Sequence, residues 1–161
     1  MKQQKDTTTR KQKKKTLGLI LATLVLLLAV VCIAAIVRDA PSRQELASLS
    51  IGTIDFSNLQ DGVFTGSFVG SKGSQRDATV EVTVSNGAIS NIRVLKGAVD
   101  VSGVAKDIGN GKTVYDLFDA VLSQETMQVD GISGATLTSN AHLKALENAL
   151  LQAQKGENPN G

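Results

Sequence analysis

The sequence predicts an α+β domain, with a small antiparallel sheet and two packed helices, preceded by one N-terminal transmembrane helix. Three observations predict this class. A long uncharged apolar segment lies near the N-terminus, alternating apolar and polar residues follow in the middle of the chain, and two later segments carry apolar residues at helical spacing. The predicted domain, residues 55–154, has about 100 residues, which is enough for one hydrophobic core.

The uncharged segment, residues 16–37, is predicted to be the transmembrane helix. Its 22 residues would span about 33 Å as a helix, which is enough to cross a bilayer. A cleaved signal peptide fits less well, because the apolar run is long for one and Arg38 lies where a small residue is expected. Cys32 is expected to be an ordinary apolar residue, and as the single cysteine it can form no intrachain disulfide.

The charges around this helix predict its orientation. Residues 1–15 carry seven Lys or Arg side chains and one Asp, whereas the rest of the chain carries ten basic and fourteen acidic side chains. The positive-inside rule therefore predicts a single-pass protein of the cell membrane, with a basic cytoplasmic tail at 1–15 and an extracytoplasmic domain. The tail could also contact membrane lipid, while the net negative remainder argues against nucleic acid as a partner.

Two segments flank the predicted domain. Residues 38–54 contain Pro41, several serines and little apolar patterning, so they are expected to be a linker with a short helix over residues 43–49. The polar residues 155–161 are expected to be a disordered tail.

The order of elements within the domain follows from residue periodicity. Val63–Val69 and Thr79–Ser85 alternate in polarity and are predicted strands, and Asn86-Gly87 before Ile89–Leu95 predicts a tight antiparallel hairpin. Thr113–Ser123 has apolar residues at helical spacing and is predicted to pack on one face of the sheet.

The C-terminal part of the domain is predicted to be a short strand followed by a helix. Met127-Gln128-Val129 is expected to be the strand that leads into the last helix. The buried side of that helix is predicted to contain Leu143, Leu146, Leu150 and Ala153.

The strongest functional indication is the segment Asp130-Gly131-Ile132-Ser133-Gly134-Ala135-Thr136-Leu137-Thr138-Ser139. It places a threonine between a Gly-rich turn and the first turn of the last helix. Backbone N–H groups there have no intrahelical partner and the helix dipole adds partial positive charge, so a phosphoryl group near Thr136 would be stabilised. The residues alone also fit plain helix capping, with Thr138 or Ser139 as the N-cap.

This segment resembles the flavinylation motif of the FMN-binding domain family. That family includes the covalent-FMN subunits of sodium-pumping NADH:quinone reductases and of Rnf-type electron-transfer complexes. The resemblance extends through the predicted strands at 61–67 and 78–89, and covers roughly residues 61–150. Where many relatives have a Glu-Thr-Pro-Gly type segment after the third strand, this chain instead has Lys96-Gly97-Ala98-Val99-Asp100.

The resemblance implies a cofactor, FMN, attached covalently to Thr136 through a phosphoester that a flavin transferase forms from FAD with a divalent metal. It implies an electron carrier, with a membrane oxidoreductase or quinone pool as donor and an extracytoplasmic acceptor. Whether the chain is an enzyme in its own right stays open. Besides Thr136, the residues implied to form the cofactor site are Asp130, Ser133, Gly134, Ala135, Leu137, Thr138 and Ser139.

Several other residues have both a functional and an ordinary interpretation. Asp130 could orient Thr136 or a metal during phosphoryl transfer, or it could simply form an Asp-Gly turn. His142 is expected to be a solvated bystander on the last helix, and Lys106 and Lys112 need no role beyond that of exposed loop lysines. Four aromatic residues are expected to belong to the core rather than to a flavin platform: Phe64, Phe68, Tyr115 and Phe118.

Two alternatives to the electron carrier remain open. One is a sensor module that binds FMN noncovalently, and the other is a cofactor-free structural subunit of a membrane redox complex. The sequence contains no CxxC, HExxH, GxSxG or Walker-type motif, so metal-site, hydrolase and nucleoside-triphosphatase functions lack support.

Overall fold

A computed structural model describes residues 3–71 and 76–154, without the side chains of residues 3–19, 38, 39 and 42. The chain divides into two units, Met1–Pro41 and Ser42–Gly161. The predicted disordered tail, 155–161, lies outside the described residues, as do the side chains of the predicted basic tail.

The first unit is helical over its described residues. Helix α1 (Gln3–Ala47) runs through this unit and ends in the second one. Its segment Ile20–Val37 has 18 residues whose side chains are all exposed, and it is long and apolar enough to cross a membrane.

The second unit contains the predicted antiparallel sheet. Strands β1 (Gly62–Phe68), β2 (Ala78–Ser85) and β3 (Ala88–Lys96) lie in the order β1-β2-β3. One face of the sheet is apolar because alternate residues of β2 point inward and are buried, namely Ala78, Val80, Val82 and Val84. The α+β class and the strands inferred from alternation are therefore confirmed.

The hairpin between β2 and β3 turns at Asn86-Gly87, as predicted. Both residues have positive φ, 56° at Asn86 and 76° at Gly87, as a type I′ turn requires. The backbone N–H of Gly87 also donates to the Asp61 carboxylate at 2.7 Å, which fastens the turn to the residue before β1.

Two helices follow the sheet in this unit, and they pack against each other. Helix α2 (Val114–Gln124) begins with a capping box formed by Thr113 and Asp116, and helix α3 (Thr136–Ala153) packs directly on β1 and β2. Close packing of α3 depends on Gly66 in β1, since a Cβ there would overlap the backbone of α3 at Ala145 and Ala149.

The core lies between α3, α2 and the sheet. The predicted buried side of α3 is confirmed, since Leu143, Leu146, Leu150 and Ala153 are all buried. The aromatic residues also belong to the core as expected: Phe68 and Phe118 are buried, and Phe64 and Tyr115 are half-buried and pack against it.

The strand predicted at 127–129 is wrong. Met127 is buried, Val129 is half-buried and Gln128 is exposed, so the residues alternate in burial without forming a strand. The Gln128 side-chain amide donates to the backbone oxygen of Ile51 at 3.0 Å, so this segment is held by a side chain rather than by a ladder.

The segment predicted as a linker, 38–54, is packed against the domain in its second half. It is helical to Ala47, and Leu46 and Ile54 are buried with the core. Helix α3 holds it through three polar side chains: Asn140 donates to Leu46 O at 2.9 Å, Lys144 donates to Ser50 O at 3.2 Å, and Glu147 accepts from Gly52 N–H at 2.8 Å.

Candidate functional site

A β-turn over Ile132–Ala135 delivers the chain to helix α3. The Ala135 N–H donates to the Ile132 oxygen at 2.9 Å, which closes the turn. Gly134 is its third residue and has φ +81°, the left-handed conformation that a type II turn needs at this position. A glycine is therefore favoured at position 134.

Helix α3 begins at Thr136, so Thr136 is the first helical residue and Ala135 is the N-cap. The alternative that Thr138 or Ser139 caps the helix is wrong, because both lie within its first turn. Ala135 supplies no side-chain cap, and among the described residues the backbone N–H groups of Thr136, Leu137 and Thr138 have no hydrogen-bond partner. The helix start is thus a group of unpaired donors with the positive end of the helix dipole.

Ser139 stabilises the turn from inside. Its side chain is fully buried, and its hydroxyl accepts the N–H of Ile132 at 3.0 Å. The serine hydroxyl bonds back to the preceding loop rather than to its own helix, which explains why it does not act as an N-cap. Gly131 lies against it, since a Cβ on Gly131 would be 3.3 Å from the Ser139 Cβ.

The predicted site residues fall into three groups by exposure. Thr136 is exposed, and so are its neighbours Asp130, Ser133 and Gly134. Leu137 and Thr138 are half-buried, whereas Ala135 and Ser139 are buried. The structure therefore leaves Asp130, Ser133, Gly134 and Thr136 at the surface and buries Ala135 and Ser139.

Two cavities are lined by residues of the motif. The His142 cavity, about 200 Å³, is lined on one side by Thr138 and His142 of α3 and on the other by Gly97, Ala98 and Lys106. The remaining residues that line it are Arg76, Asp77, Asp107 and Ile108. This cavity includes the start of the loop whose sequence departs from the Glu-Thr-Pro-Gly pattern.

The second cavity, the Asp130 cavity, is about 310 Å³ and lies between the motif and the start of α2. It is lined by Asp130 and Ser133 from the motif and by Lys112 and Asp116 from the α2 side. Hydrogen bonds from the Thr113 backbone and hydroxyl hold the pKa of the Asp116 carboxyl below its usual value, so this carboxyl stays ionised at neutral pH.

The expectation that His142 is a solvated bystander is wrong. Its side chain is 2 % exposed, with Nδ1 2.8 Å from the Thr138 oxygen and Nε2 3.2 Å from the Ala98 nitrogen. Burial of the ring lowers the pKa of His142 below its ordinary value. Helical spacing indicates the burial of His142, because residue 142 lies four residues before Leu146 and therefore on the same buried side of α3.

Asp77 lies beside the His142 cavity and is also buried. Its carboxylate accepts from Lys96 Nζ at 2.9 Å and from Gly70 N–H at 3.1 Å. The hydrogen bond from Lys96 is the main reason that the pKa of Asp77 lies below its usual value. Neither Asp77 nor Lys96 was singled out by sequence reasoning, since 19 residues separate them and only the pairing of β2 with β3 brings them together.

The residues around Thr136 fit an FMN phosphate. Thr136 is exposed, and the N–H groups of Thr136, Leu137 and Thr138 have no partner within the described part of the chain. A Cβ on Gly134 would meet nothing within 4 Å, so there is space beside the turn. Thr136 lines neither cavity, but Thr138 lines the first and Ser133 the second, so both cavities have a wall within three residues of Thr136. No group of three or more His, Cys, Asp or Glu side chains that could hold a metal occurs within the described residues.

Fold and site together define an α+β domain with a glycine turn and an exposed threonine at the start of its last helix. A model of the FMN-binding domain matches residues 73–151. Residues 73–151 are thus identified as an FMN-binding domain, as the motif suggested, and this supports a flavin-binding role with FMN as the cofactor. A comparison with curated proteins found no match, and neither did a comparison with solved structures.

Proposed function

We propose that the chain is a membrane-anchored flavoprotein that carries electrons on FMN joined covalently to Thr136. FMN supplies one-electron or two-electron transfer when bound. The observation that carries the proposal is the position of Thr136, an exposed hydroxyl on the first residue of α3 directly after the Gly134 turn.

The helix start would favour a phosphoester at this position. The phosphate would lie beside the unpaired N–H groups of Thr136, Leu137 and Thr138, where the helix dipole also favours negative charge. In the attachment step, the Thr136 hydroxyl oxygen bonds to the FMN phosphorus of FAD, the pyrophosphate bond breaks and AMP leaves. The flavin transferase takes up the hydroxyl proton and brings the divalent metal.

A covalent bond suits a domain with few aromatic side chains. Aromatic residues are 3 % of the chain and there is no Trp. Phe68 and Phe118 are buried in the core, and the Tyr115 hydroxyl already accepts the Val94 N–H at 3.2 Å. Because aromatic stacking stabilises a bound planar ring and few aromatic side chains are free for it here, an ester through Thr136 would keep FMN attached without strong noncovalent binding.

The proposed location follows from the first unit and the charge distribution. Ile20–Val37 would span the membrane, and the basic residues of 1–15 would keep the N-terminus in the cytoplasm. The domain would then lie outside the cytoplasm. It would accept electrons from a membrane oxidoreductase or the quinone pool and donate them to an extracytoplasmic acceptor.

The test is to express the full chain with a flavin transferase and to image a denaturing gel for flavin fluorescence. We expect a fluorescent band and an intact mass increased by one FMN less one water. Thr136→Ala should abolish both signals. Thr53→Ala is the matched control, because it removes the hydroxyl of another exposed threonine that lies outside the motif, and it should keep both.

Other results would favour the alternatives. Flavin that co-purifies with the native chain, is lost on denaturation and persists in Thr136→Ala would indicate a noncovalent FMN-binding module. An unmodified mass and no flavin absorbance, with an active transferase present, would indicate a cofactor-free structural subunit.

A further inference from the structure

His142 makes two ring contacts that define its protonation state. Ala98 N–H can only donate, so Nε2 of His142 must accept it across the 3.2 Å contact. The proton of the neutral ring then lies on Nδ1, which donates to the Thr138 oxygen at 2.8 Å. The structure therefore requires a neutral imidazole with its hydrogen on Nδ1.

These two bonds join two parts of the fold that are far apart in sequence. Thr138 lies in the first turn of α3, two residues after Thr136. Ala98 begins an arm, residues 98–106, which folds back on itself because Ala98 O accepts Lys106 N–H at 3.0 Å and Val104 O accepts Asp100 N–H at 2.9 Å. His142 thus connects Ala98, the first residue of this arm, to the helical turn that contains Thr136.

Gly97 lets the ring approach the arm. It has φ +121°, and a Cβ there would lie 2.5 Å from Nε2 of His142, closer than real side chains allow. Beside this contact is the His142 cavity, whose walls include Ala98 and Lys106 from the arm and Thr138 from the helix. The bond between His142 and Ala98 therefore holds one wall of that cavity in place.

Protonation of His142 would break this arrangement. Both ring nitrogens of an imidazolium are donors, so Nε2–H would face the Ala98 N–H and the bond between them would be lost. The charged groups that surround the ring are mixed in sign: Arg76 and Asp77 lie on the β2 side, Lys96 pairs with Asp77 from β3, and Lys106 and Asp107 belong to the loop. With these charges of both signs, burial is the main cause of the lowered pKa of His142.

We propose that His142 is a positioning residue for the flavin carried on Thr136: neutral His142 holds the 98–106 arm against the first turn of α3, and protonated His142 releases it. The inference depends on the proposed function, since one wall of the His142 cavity would move with pH, and this cavity is lined by Thr138, two residues after the proposed attachment point of FMN. His142 acts through Ala98 and Thr138 and takes no part in the electron transfer itself.

The experiment uses the fact that the chain contains a single histidine. The full chain, purified without a histidine tag in detergent micelles, is labelled with ¹⁵N in the imidazole ring and titrated by NMR, with and without attached FMN. We expect Nδ1 to carry the proton at neutral pH, and the ring to titrate with a midpoint below the ordinary pKa of 6.5. The fluorescence anisotropy of the attached FMN should change with the same midpoint.

The conservative variant His142→Gln separates this role from a merely structural one. Its amide keeps an acceptor near the position of Nε2 but gains no proton, so the flavin signal should resemble that of the neutral wild type and lose its pH dependence over this range. A ring that titrates at or above 6.5, or a flavin transition that persists unchanged in His142→Gln, would overturn the inference. An absence of flavin on the denatured wild-type chain would instead contradict the proposed function, and the inference with it.

Discussion

The buried hydroxyl of Ser139 offers the sharpest test of how the motif is held. The variant Ser139→Ala removes the acceptor of the Ile132 N–H, a hydrogen bond of 3.0 Å between two buried groups. Alanine fits the same space, so the change leaves a buried donor unpaired without adding bulk. The turn that precedes Thr136 would lose the contact that ties it to α3.

The expected cost follows from the chemistry of an orphaned buried donor. Leaving such a group without a partner lowers the free energy of unfolding by about 1–3 kcal/mol. For a domain of this size each kcal/mol corresponds to a fall of about 4 °C in the midpoint of thermal unfolding. Ser133→Ala is the matched control, because Ser133 belongs to the same turn but is exposed, and it should change the free energy of unfolding by less than about 0.5 kcal/mol.

The assay is denaturant or thermal unfolding of the flavin-free full chain in micelles, followed by the fluorescence of its one tyrosine. Tyr115 is a suitable probe because its hydroxyl accepts the Val94 N–H and its ring packs edge-on against Phe118, with the ring centres 6.0 Å apart. Equal stabilities for Ser139→Ala and Ser133→Ala would refute the assignment of Ser139 as the residue that holds the turn.

Two further predictions concern packing and pH. Gly66→Ala should lower the free energy of unfolding by about 3 kcal/mol or more, since the new Cβ overlaps the α3 backbone. Gly134→Ala should lower it by only about 1–2 kcal/mol, because the space there is open and only the φ of +81° is unfavourable. Similar unfolding midpoints for both variants would contradict this packing of α3 on β1. The pKa of folded His142 lies below the unfolded value of 6.5, so the unfolded chain binds a proton first as the pH falls. The free energy of unfolding should therefore decrease from pH 6.5 toward the folded-state pKa. A urea midpoint that falls equally in His142→Gln over this range would contradict the assignment.

The sheet could be predicted because its causes are local. Alternation in β2 places every second side chain in the core, and Asn86-Gly87 is a residue pair that readily adopts the two positive φ angles of the turn. The strand expected at 127–129 is absent for a reason that is not local. Burial of Met127 and exposure of Gln128 produce a strand-like pattern, yet what holds that segment is a side-chain bond to Ile51, which lies 77 residues earlier.

The candidate site could be predicted only in part, because the motif names its residues but not their contacts. Thr136 was placed correctly at the helix start by the glycines and small residues before it. The burial of Ser139 and His142 depends on Ile132 and Ala98, and the second of these partners comes from a loop 44 residues earlier in the chain. Contacts of that range leave little trace in a single sequence, apart from the helical spacing that puts His142 on the core side.

The packing of residues 38–54, before the predicted domain, also depends on residues that are distant in sequence. The serines and the proline of this segment are typical of a linker, and composition alone gave no reason to bury Leu46 or Ile54. Their burial is favoured by polar groups of α3, above all by Glu147, which is 4 % exposed and joins Gly52 N–H to Lys144. The partners of these side chains lie about 95 residues earlier, so a local pattern could not have indicated them.

Peptide mapping tests most directly whether FMN is attached at Thr136 and not elsewhere in the motif. Trypsin should release the whole motif in one peptide, residues 113–144, since Lys112 and Lys144 are the basic residues that bound it. Tandem mass spectrometry of this peptide, from the full chain expressed with a flavin transferase, should place the added FMN on Thr136. An FMN mass on Ser133, Thr138 or Ser139, or a peptide without any added mass, would contradict attachment at Thr136.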